Sequence, residues 1–309
     1  MQAFIISRLG QMLLTIFIVS LIAFFLIRLK GDPISVMAPP TFSESQIEAL
    51  RKAWGFDRPL TEQYFVFVRK ALSGDFGLSV QARIPAMELV LKRLLNTYLL
   101  ASVSVVIGIL IAIPLGVISA LNRNSWLDIA ATTSATLGTA MPNFWLGLML
   151  ILIFSVNLRL LPAFGALEPS AIIMPALTLG TGIAARLSRL TRSAMLEVLG
   201  QDYVRTAYSK GLAGRVVIVR HALRNSLLPV VTALGLQLGW LLGGSVVVES
   251  VFAWPGIGRL MIESIGVRDI TVVQAALFWF ALSFILINLI LDIVYTLIDP
   301  RIQLRSSKA

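Results

Sequence analysis

Few side chains in this chain are able to do covalent chemistry. Cysteine is absent and histidine occurs once, at His221, which removes disulfides, thiolate nucleophiles and thiolate metal sites together. A lone imidazole with no cysteine and little carboxylate nearby makes no metal centre. An intramembrane hydrolase would need a Ser-His, paired-Asp or metal constellation inside the bilayer, and His221 lies in a basic stretch outside every apolar run. No G-x-x-x-x-G-K-[ST] phosphate loop occurs, so ATP binding and hydrolysis are not expected on this chain. No catalytic residue and no metal site is expected.

What the sequence offers instead is polar and small residues at helical spacing inside apolar surroundings. Thr132, Thr136, Thr139 and Asn143 recur at i, i+4, i+7 and i+11, which draws a polar line down one face of a continuous helix. Such a line can border a path for a polar solute, or it can hydrogen-bond one spanning helix to another. Gly235, Gly239 and Gly243 follow at successive i+4 steps, a pattern that strips side chains from one face and predicts a tight helix contact, within the chain or with another subunit. Asp292 is the one carboxylate inside an apolar run, and Glu249 stands at the edge of another. Both are expected to be structural rather than proton-coupling, since each lies near the end of its run.

The elements that must position these residues are membrane helices. Hydrophobic residues make up 57% of the chain and charged residues 14%, far from the balance of an ordinary soluble domain. A span needs roughly 20 apolar residues, and six runs approach that length: Leu9 to Ile27, Asn96 to Leu121, Ile129 to Leu158, Pro169 to Ala185, Asn225 to Val248, and Ile270 to Leu291 continuing past Asp292 to Ile298. The first is longer than a signal-peptide core and is followed by Arg28 and Lys30 without a small-x-small cleavage site, so it is expected to be retained. Pro114, Pro142 and Pro175 fall within runs, where kinks are expected.

Charge gives these spans a direction. The net charge of +10 suggests either nucleic acid or an anionic membrane surface as partner. Of the 26 Lys and Arg residues, thirteen fall on the side of the two termini, eight of them between Arg186 and Arg224. Only Arg159, Arg259 and Arg268 occupy the short loops opposite. The remaining ten lie between Arg28 and Arg93, in a loop long enough to escape the rule. Both termini are therefore expected in the cytoplasm. Orientation explains the basic excess, and no nucleic-acid partner is expected.

Two segments outside the runs have helix signals. In the long external loop, Ser43-x-x-Gln46 reads as a capping box opening a helix that Gly55 ends, and a second helix is expected from Thr61 to Leu72. In the basic segment 186–224, Asp202 can cap a helix that Gly211 stops. Val204, Ala207, Tyr208 and Gly211 share one face of it, which something should cover. No fixed-period repeat marks a solenoid or an inverted-repeat transporter.

At this segment the sequence resembles the permease subunits of ATP-binding cassette importers for dipeptides, oligopeptides and nickel. Their cytoplasmic EAA loop carries a Glu-Ala-Ala triplet, a following Gly and a later Leu-Pro or Ile-Pro. The corresponding positions here are Arg205-Thr206-Ala207, Gly211 and Leu228-Pro229. Arg205 in place of Glu and the long spacing to proline are the form expected of the peptide-importer branch. Further agreement runs through Gly31-Asp32-Pro33, Gly74-Asp75-Phe76-Gly77, Trp126-Leu127-Asp128, Met141-Pro142-Asn143-Phe144-Trp145-Leu146-Gly147, Leu161-Pro162, His221-Ala222-Leu223-Arg224-Asn225, Trp254-Pro255-Gly256-Ile257-Gly258 and Asp299-Pro300-Arg301.

The resemblance implies an all-α, polytopic, six-helix protein of the type I importer permease fold, in a prokaryotic plasma (inner) membrane, with a partly helical external loop typical of the first of two paired permeases. Residues 1–30 would hold the first helix, 31–95 the external loop, 96–298 a five-helix core and 299–309 a cytoplasmic tail. It also implies a coupling helix over Tyr203, Val204, Arg205, Thr206, Ala207, Tyr208, Lys210 and Gly211. Its expected partners are two ATPase subunits that hold ATP and Mg, a second homologous permease, and an external solute-binding protein. Nickel or a metal chelate is the alternative cargo within this machinery. An ion-driven secondary transporter is the rival of another class, and it should show partnered charges deep in its spans, which are nearly lacking here. Trp254 is expected to anchor an external turn at the membrane interface.

Overall fold

The computed structural model describes residues 2–26 and 42–298. Gly31-Asp32-Pro33, Asp299-Pro300-Arg301 and the 299–309 tail lie outside the described residues, as does the side chain of Asp292. Among the described residues the structure is all-α, with one isolated antiparallel bridge between Leu78 and Pro85.

The elements are α1 (Gln2–Leu26), α2 (Glu44–Trp54), α3 (Leu60–Leu72), α4 (Ala86–Leu121), α5 (Trp126–Ala140), α6 (Asn143–Leu150), α7 (Ile173–Leu199), α8 (Asp202–Ser209), α9 (Arg224–Val251), α10 (Ile257–Gly266) and α11 (Ile270–Ile298). Four helical stretches are long and apolar enough to cross a membrane: 86–121, 169–199, 214–239 and 270–291. The bent pair 126–140 and 143–157 makes a fifth if the two halves form one span, and α1 contributes a shorter apolar stretch, Gly10–Phe25. The count of six expected from the runs is consistent with this set.

Local chemistry explains the boundaries. The Ser43 hydroxyl and the Gln46 side chain form the expected capping box, and Gly55 closes α2 at φ 72°. Helix α4 starts ten residues before the apolar run, because Glu88 and Lys92 pair at 2.7 Å on a polar first stretch. The third run is not one helix. Pro142 has no N–H to give and disfavours helical geometry in the residue before it. Met141 is accordingly extended (ψ 125°), and α5 and α6 meet at 107°. The expected kink is a corner.

The described chain divides into two compact units. The first holds the chain up to Asn96 together with 256–289. In it Phe24 of α1 stacks edge-on against Tyr64 of α3, centroids 5.3 Å apart, and the Gln274 amide donates to the Ala23 carbonyl at 2.8 Å. The segment after α3 is held by α10–α11: the Ser79 hydroxyl and the Gln81 N–H both donate to buried Asp269, and the Thr271 hydroxyl donates to the Leu78 carbonyl at 3.0 Å. Part of the expected external loop is thus built together with the last helices.

The second unit, from Thr97 to Pro255 with the end of α11 from Ile290, is organised on α7. Its upper cluster joins Leu100 and Ala112 of α4, Leu179, Ile183 and Leu187 of α7, and Val230, Leu241 and Val248 of α9. Below it Ala120, Met195 and Ala222 pack together, and lower still Val204, Ala207 and Val217. The α4–α7 seam is close. Ser104, Gly108, Ala112, Gly116 and Ala120 form a buried ridge at four-residue steps, the pattern that lets backbones approach. A Cβ at Gly116 would stand 2.5 Å from Thr191 Cβ, and one at Gly180 would stand 2.9 Å from the Ser104 carbonyl.

Candidate coupling site

Helix α8 is eight residues long, too short to persist on its own in water; packing must hold it. Val204 (1% exposed) and Ala207 (6%) bury against Val217, with Val198 and Leu199 alongside. The expected covered face is therefore only half covered. Tyr208 is 48% exposed and Gly211 is exposed, because two turns bring just one i, i+3 pair squarely onto the underlying helix ends. Asp202 is the first residue of the helix rather than its cap. Gln201 precedes it with no side-chain cap bond, and the Asp202 carboxylate favours the N-terminal turn through the helix dipole. Gly211, at φ 75°, ends the segment as expected.

The outward surface carries Tyr203, Arg205, Thr206, Tyr208 and Lys210. The Thr206 hydroxyl is turned back to the Asp202 carbonyl (2.9 Å) and the Arg205 guanidinium sits 3.6 Å from Asp202 at the surface, a contact worth little in water. One bond ties this surface to a spanning helix: Asn225 Nδ2 donates to Tyr203 Oη at 2.8 Å. Asn225 stands at the start of α9, just after a π-helical stretch, Val217–Leu223. His221 lies in that stretch and its carbonyl accepts from Asn225. No metal-binding cluster of His, Asp and Glu occurs among the described residues.

A second polar centre lies where α4, α5 and α7 converge. The Arg192 guanidinium grips Asp128 with two bonds of 2.7 Å, Nε to Oδ1 and Nη2 to Oδ2. The Ser119 hydroxyl donates to Oδ1 and the Asn124 N–H to Oδ2 at 3.0 Å. Asp128 belongs to the Trp126-Leu127-Asp128 motif, but the sequence does not name Arg192, sixty-four positions away, as its partner. The one local signal is Asp128 three residues after Ser125, whose side chain caps α5 through the Asp128 N–H.

The expected threonine line is broken. Thr132, Thr136 and Thr139 share α5, whereas Asn143 starts α6 beyond the corner and lies beside Gly244 of α9. Each threonine hydroxyl donates to its own helix: Thr132 to the Asp128 carbonyl at 2.7 Å, Thr136 to Thr132 at 2.8 Å, Thr139 to Thr136 at 2.9 Å. Ala135 and Gly138 are buried beside this line, and Gly138 faces Ala185 and Thr181 of α7. The glycine row of α9 is also uneven: Gly235 is buried, Gly239 half-buried, and Gly243 has nothing within 4 Å. Trp254 is not an interfacial anchor. It is 3% exposed and part of the upper cluster, since its N–H bonds the Glu249 carbonyl and folds the turn back on α9. Glu249 itself is fully buried and accepts from Thr97 Oγ1 at 2.7 Å.

Comparison with known proteins covers nearly the whole chain. Residues 112–304 match the family model "Binding-protein-dependent transport system inner membrane component", and residues 1–101 match that of its N-terminal part. The chain is 43% identical over 304 residues to the glutathione transport system permease protein GsiC of Escherichia coli strain K12, covering 98% of this chain and 99% of that one. The same protein of Shigella flexneri serotype 5b is likewise 43% identical with the same coverage. Among solved structures, an inward-facing MetNI methionine ABC transporter superposes with a TM-score of 0.59 at 20% identity, over 69% of this chain and 97% of that one.

Proposed function

The chain belongs to the binding-protein-dependent transport system inner membrane components, and from that membership we propose that it carries peptide-like solutes as the first of two paired permeases. It is a transport subunit of an ATP-driven importer and has the permease fold, not an enzyme's site. The observation that carries the coupling role is α8: its Val204–Ala207 face is fixed to this chain while Tyr203, Arg205, Thr206, Tyr208 and Lys210 face outward. A short helix so placed can receive a push from an ATPase subunit and pass it to α7 and α9. ATP and Mg belong to those partner chains.

The solute class follows the printed function of the 43% identical relative, a glutathione permease, and glutathione is the probe of choice. An external binding protein delivers it. The Lys/Arg distribution supports a cytoplasmic position for both termini and for α8. Thr132, Thr136 and Thr139 remain our candidates for lining the path, without Asn143. Gly235, Gly239 and Gly243 remain candidates for helix packing, within the chain or with another subunit. The test is purification with the second permease and ATPase subunits, then uptake of glutathione and a short oligopeptide into proteoliposomes. Uptake that requires ATP and the loaded binding protein is expected; uptake by this chain alone, without ATP, would identify a secondary transporter and overturn the reading.

A further inference from the structure

We propose that Asp128 and Arg192 are positioning residues for the transport stroke, locking α4, α5 and the end of α7 into one body that moves with α8. The inference rests on the coupling role of α8. Helix α7 has 27 residues, about 40 Å at ~1.5 Å per residue, so it outruns a ~30 Å hydrocarbon core. Arg192 lies on its projecting part, two turns before Leu199, and α8 begins at Asp202.

Displacement of α8 enters α7 at Val198 and Leu199, on which α8 packs, and Arg192 lies two turns further along the same helix. From there it has two routes. One is along α7 itself. The other is across the ion pair to Asp128 on the first turn of α5, and through the same carboxylate to Ser119 on α4 and Asn124 in the α4–α5 turn. Asn124 is held at φ 64°, a conformation that the bond to Asp128 helps to fix. One carboxylate thus receives four donors from three different parts of the chain.

The choice of chemistry is informative. A buried ion pair is a weak source of stability, and apolar packing of the same volume often does as well. Apolar packing is available here, since Ala120, Met195 and Ala222 cluster close by. What the bidentate pair adds is direction: two parallel N–H···O bonds fix orientation as well as distance, as a mechanical joint requires. Mid-span, α5 and α7 already meet at Gly138, where an added Cβ would stand 3.1 Å from Ala185 Cβ. The clamp extends that contact to the helix ends.

The test uses the complete importer in proteoliposomes with labelled glutathione, reading uptake per ATP hydrolysed. Asp128→Asn and Arg192→Gln are expected to keep basal ATP hydrolysis within twofold while uptake per ATP falls at least tenfold; a purely structural pair would lower yield and leave the ratio alone. A Gly138→Cys/Ala185→Cys disulfide, for which the 3.1 Å between the Cβ positions must widen by a few tenths of an ångström to reach the ~3.5–4.5 Å such a bond needs, supplies an independent α5–α7 link in a chain without cysteine. Oxidised, it should restore the ratio in Asp128→Asn, and in the otherwise unaltered importer it should leave uptake within twofold. The proposal is overturned by an unchanged ratio in the single variants, by failure of the disulfide to restore it, or by reversible loss of uptake when the disulfide forms in the unaltered background. That last arm also decides if Asp128→Asn does not assemble. A wild-type assembly without ATP-driven uptake overturns the importer reading instead, a result visible before any variant is compared.

Discussion

Two rows of small residues run along spanning helices of this chain, and they differ in use. On α4, Ser104, Gly108, Ala112, Gly116 and Ala120 are all buried, and at Gly116 there is no room for a Cβ. On α9, Gly235, Gly239 and Gly243 go from buried to open along two turns, ending with nothing within 4 Å. Spacing is the same in both. What differs is the partner: α7 answers α4 with Gly180, Ser188 and Thr191 at matching heights, while the α9 row meets no such counterpart at Gly243. A four-residue repeat of small residues thus says that close approach is possible, and only a complementary surface makes it happen.

The largest expected effect comes from filling the used row. Gly116→Leu drives a branched side chain into the Ser188 carbonyl and the Thr191 side chain, both backbone-anchored on α7. Overpacking of this kind costs about 1–3 kcal/mol and occasionally more, the upper end applying when neighbours cannot yield. Loss of monodisperse protein after detergent extraction, by fluorescence-detected size exclusion, is the expected outcome. Wild-type yield would mean that the seam is looser than described.

Next comes the joint at the foot of the same seam. Asp128→Ala leaves the Arg192 guanidinium, only 26% exposed, without its carboxylate, and removes the acceptor of Ser119 and Asn124. Removing one partner of a buried pair costs about 3 kcal/mol. The expected result is a lower thermal unfolding midpoint of the detergent-purified importer. An unchanged midpoint would place the pair among those that contribute nothing measurable.

These two regions were not equally legible. The α4 ridge contains one residue of each helical turn, but Ser and Ala alternate with Gly, so a search for glycine alone passes over it and stops at Gly235, Gly239 and Gly243. The Asp128–Arg192 pair joins positions on two helices with a corner and a long turn between them, information that spacing cannot carry. Patterns confined to one helix were readable: the Ser43–Gln46 box, the stop at Gly211, the apolar runs. The line from Thr132 does not continue to Asn143 on one helix, because Pro142 ends the helix on which the periodicity was counted. Local signals survive; signals that assume a helix continues across proline do not.

A smaller effect separates the two faces of α8. Val204→Ala opens a cavity against Val217 and is expected to cost about 1–2 kcal/mol, within the range for shortening buried aliphatic side chains. Tyr208→Ala removes a ring already half in solvent, so its effect on the fold is expected to be within ±0.5 kcal/mol, with reduced retention of the ATPase subunits in a pull-down. If Tyr208→Ala lowers the unfolding midpoint as much as Val204→Ala, the outward face is packed after all and α8 has no free side to offer.

The smallest expected effect is the one that most sharpens the comparison between the glycine rows. Gly243→Ala adds a methyl to helix interior where no atom lies within 4 Å, and alanine is favoured over glycine there by up to ~1 kcal/mol. For the chain purified by itself, the midpoint should hold or rise slightly. In the complete importer the sign depends on what a second permease places against α9. The same gain in both states means that Gly243 faces lipid; a gain in the single chain that becomes a loss in the importer means that α9 finds between subunits the close approach that α4 finds within one, and the two rows then differ only in where their counterpart lies.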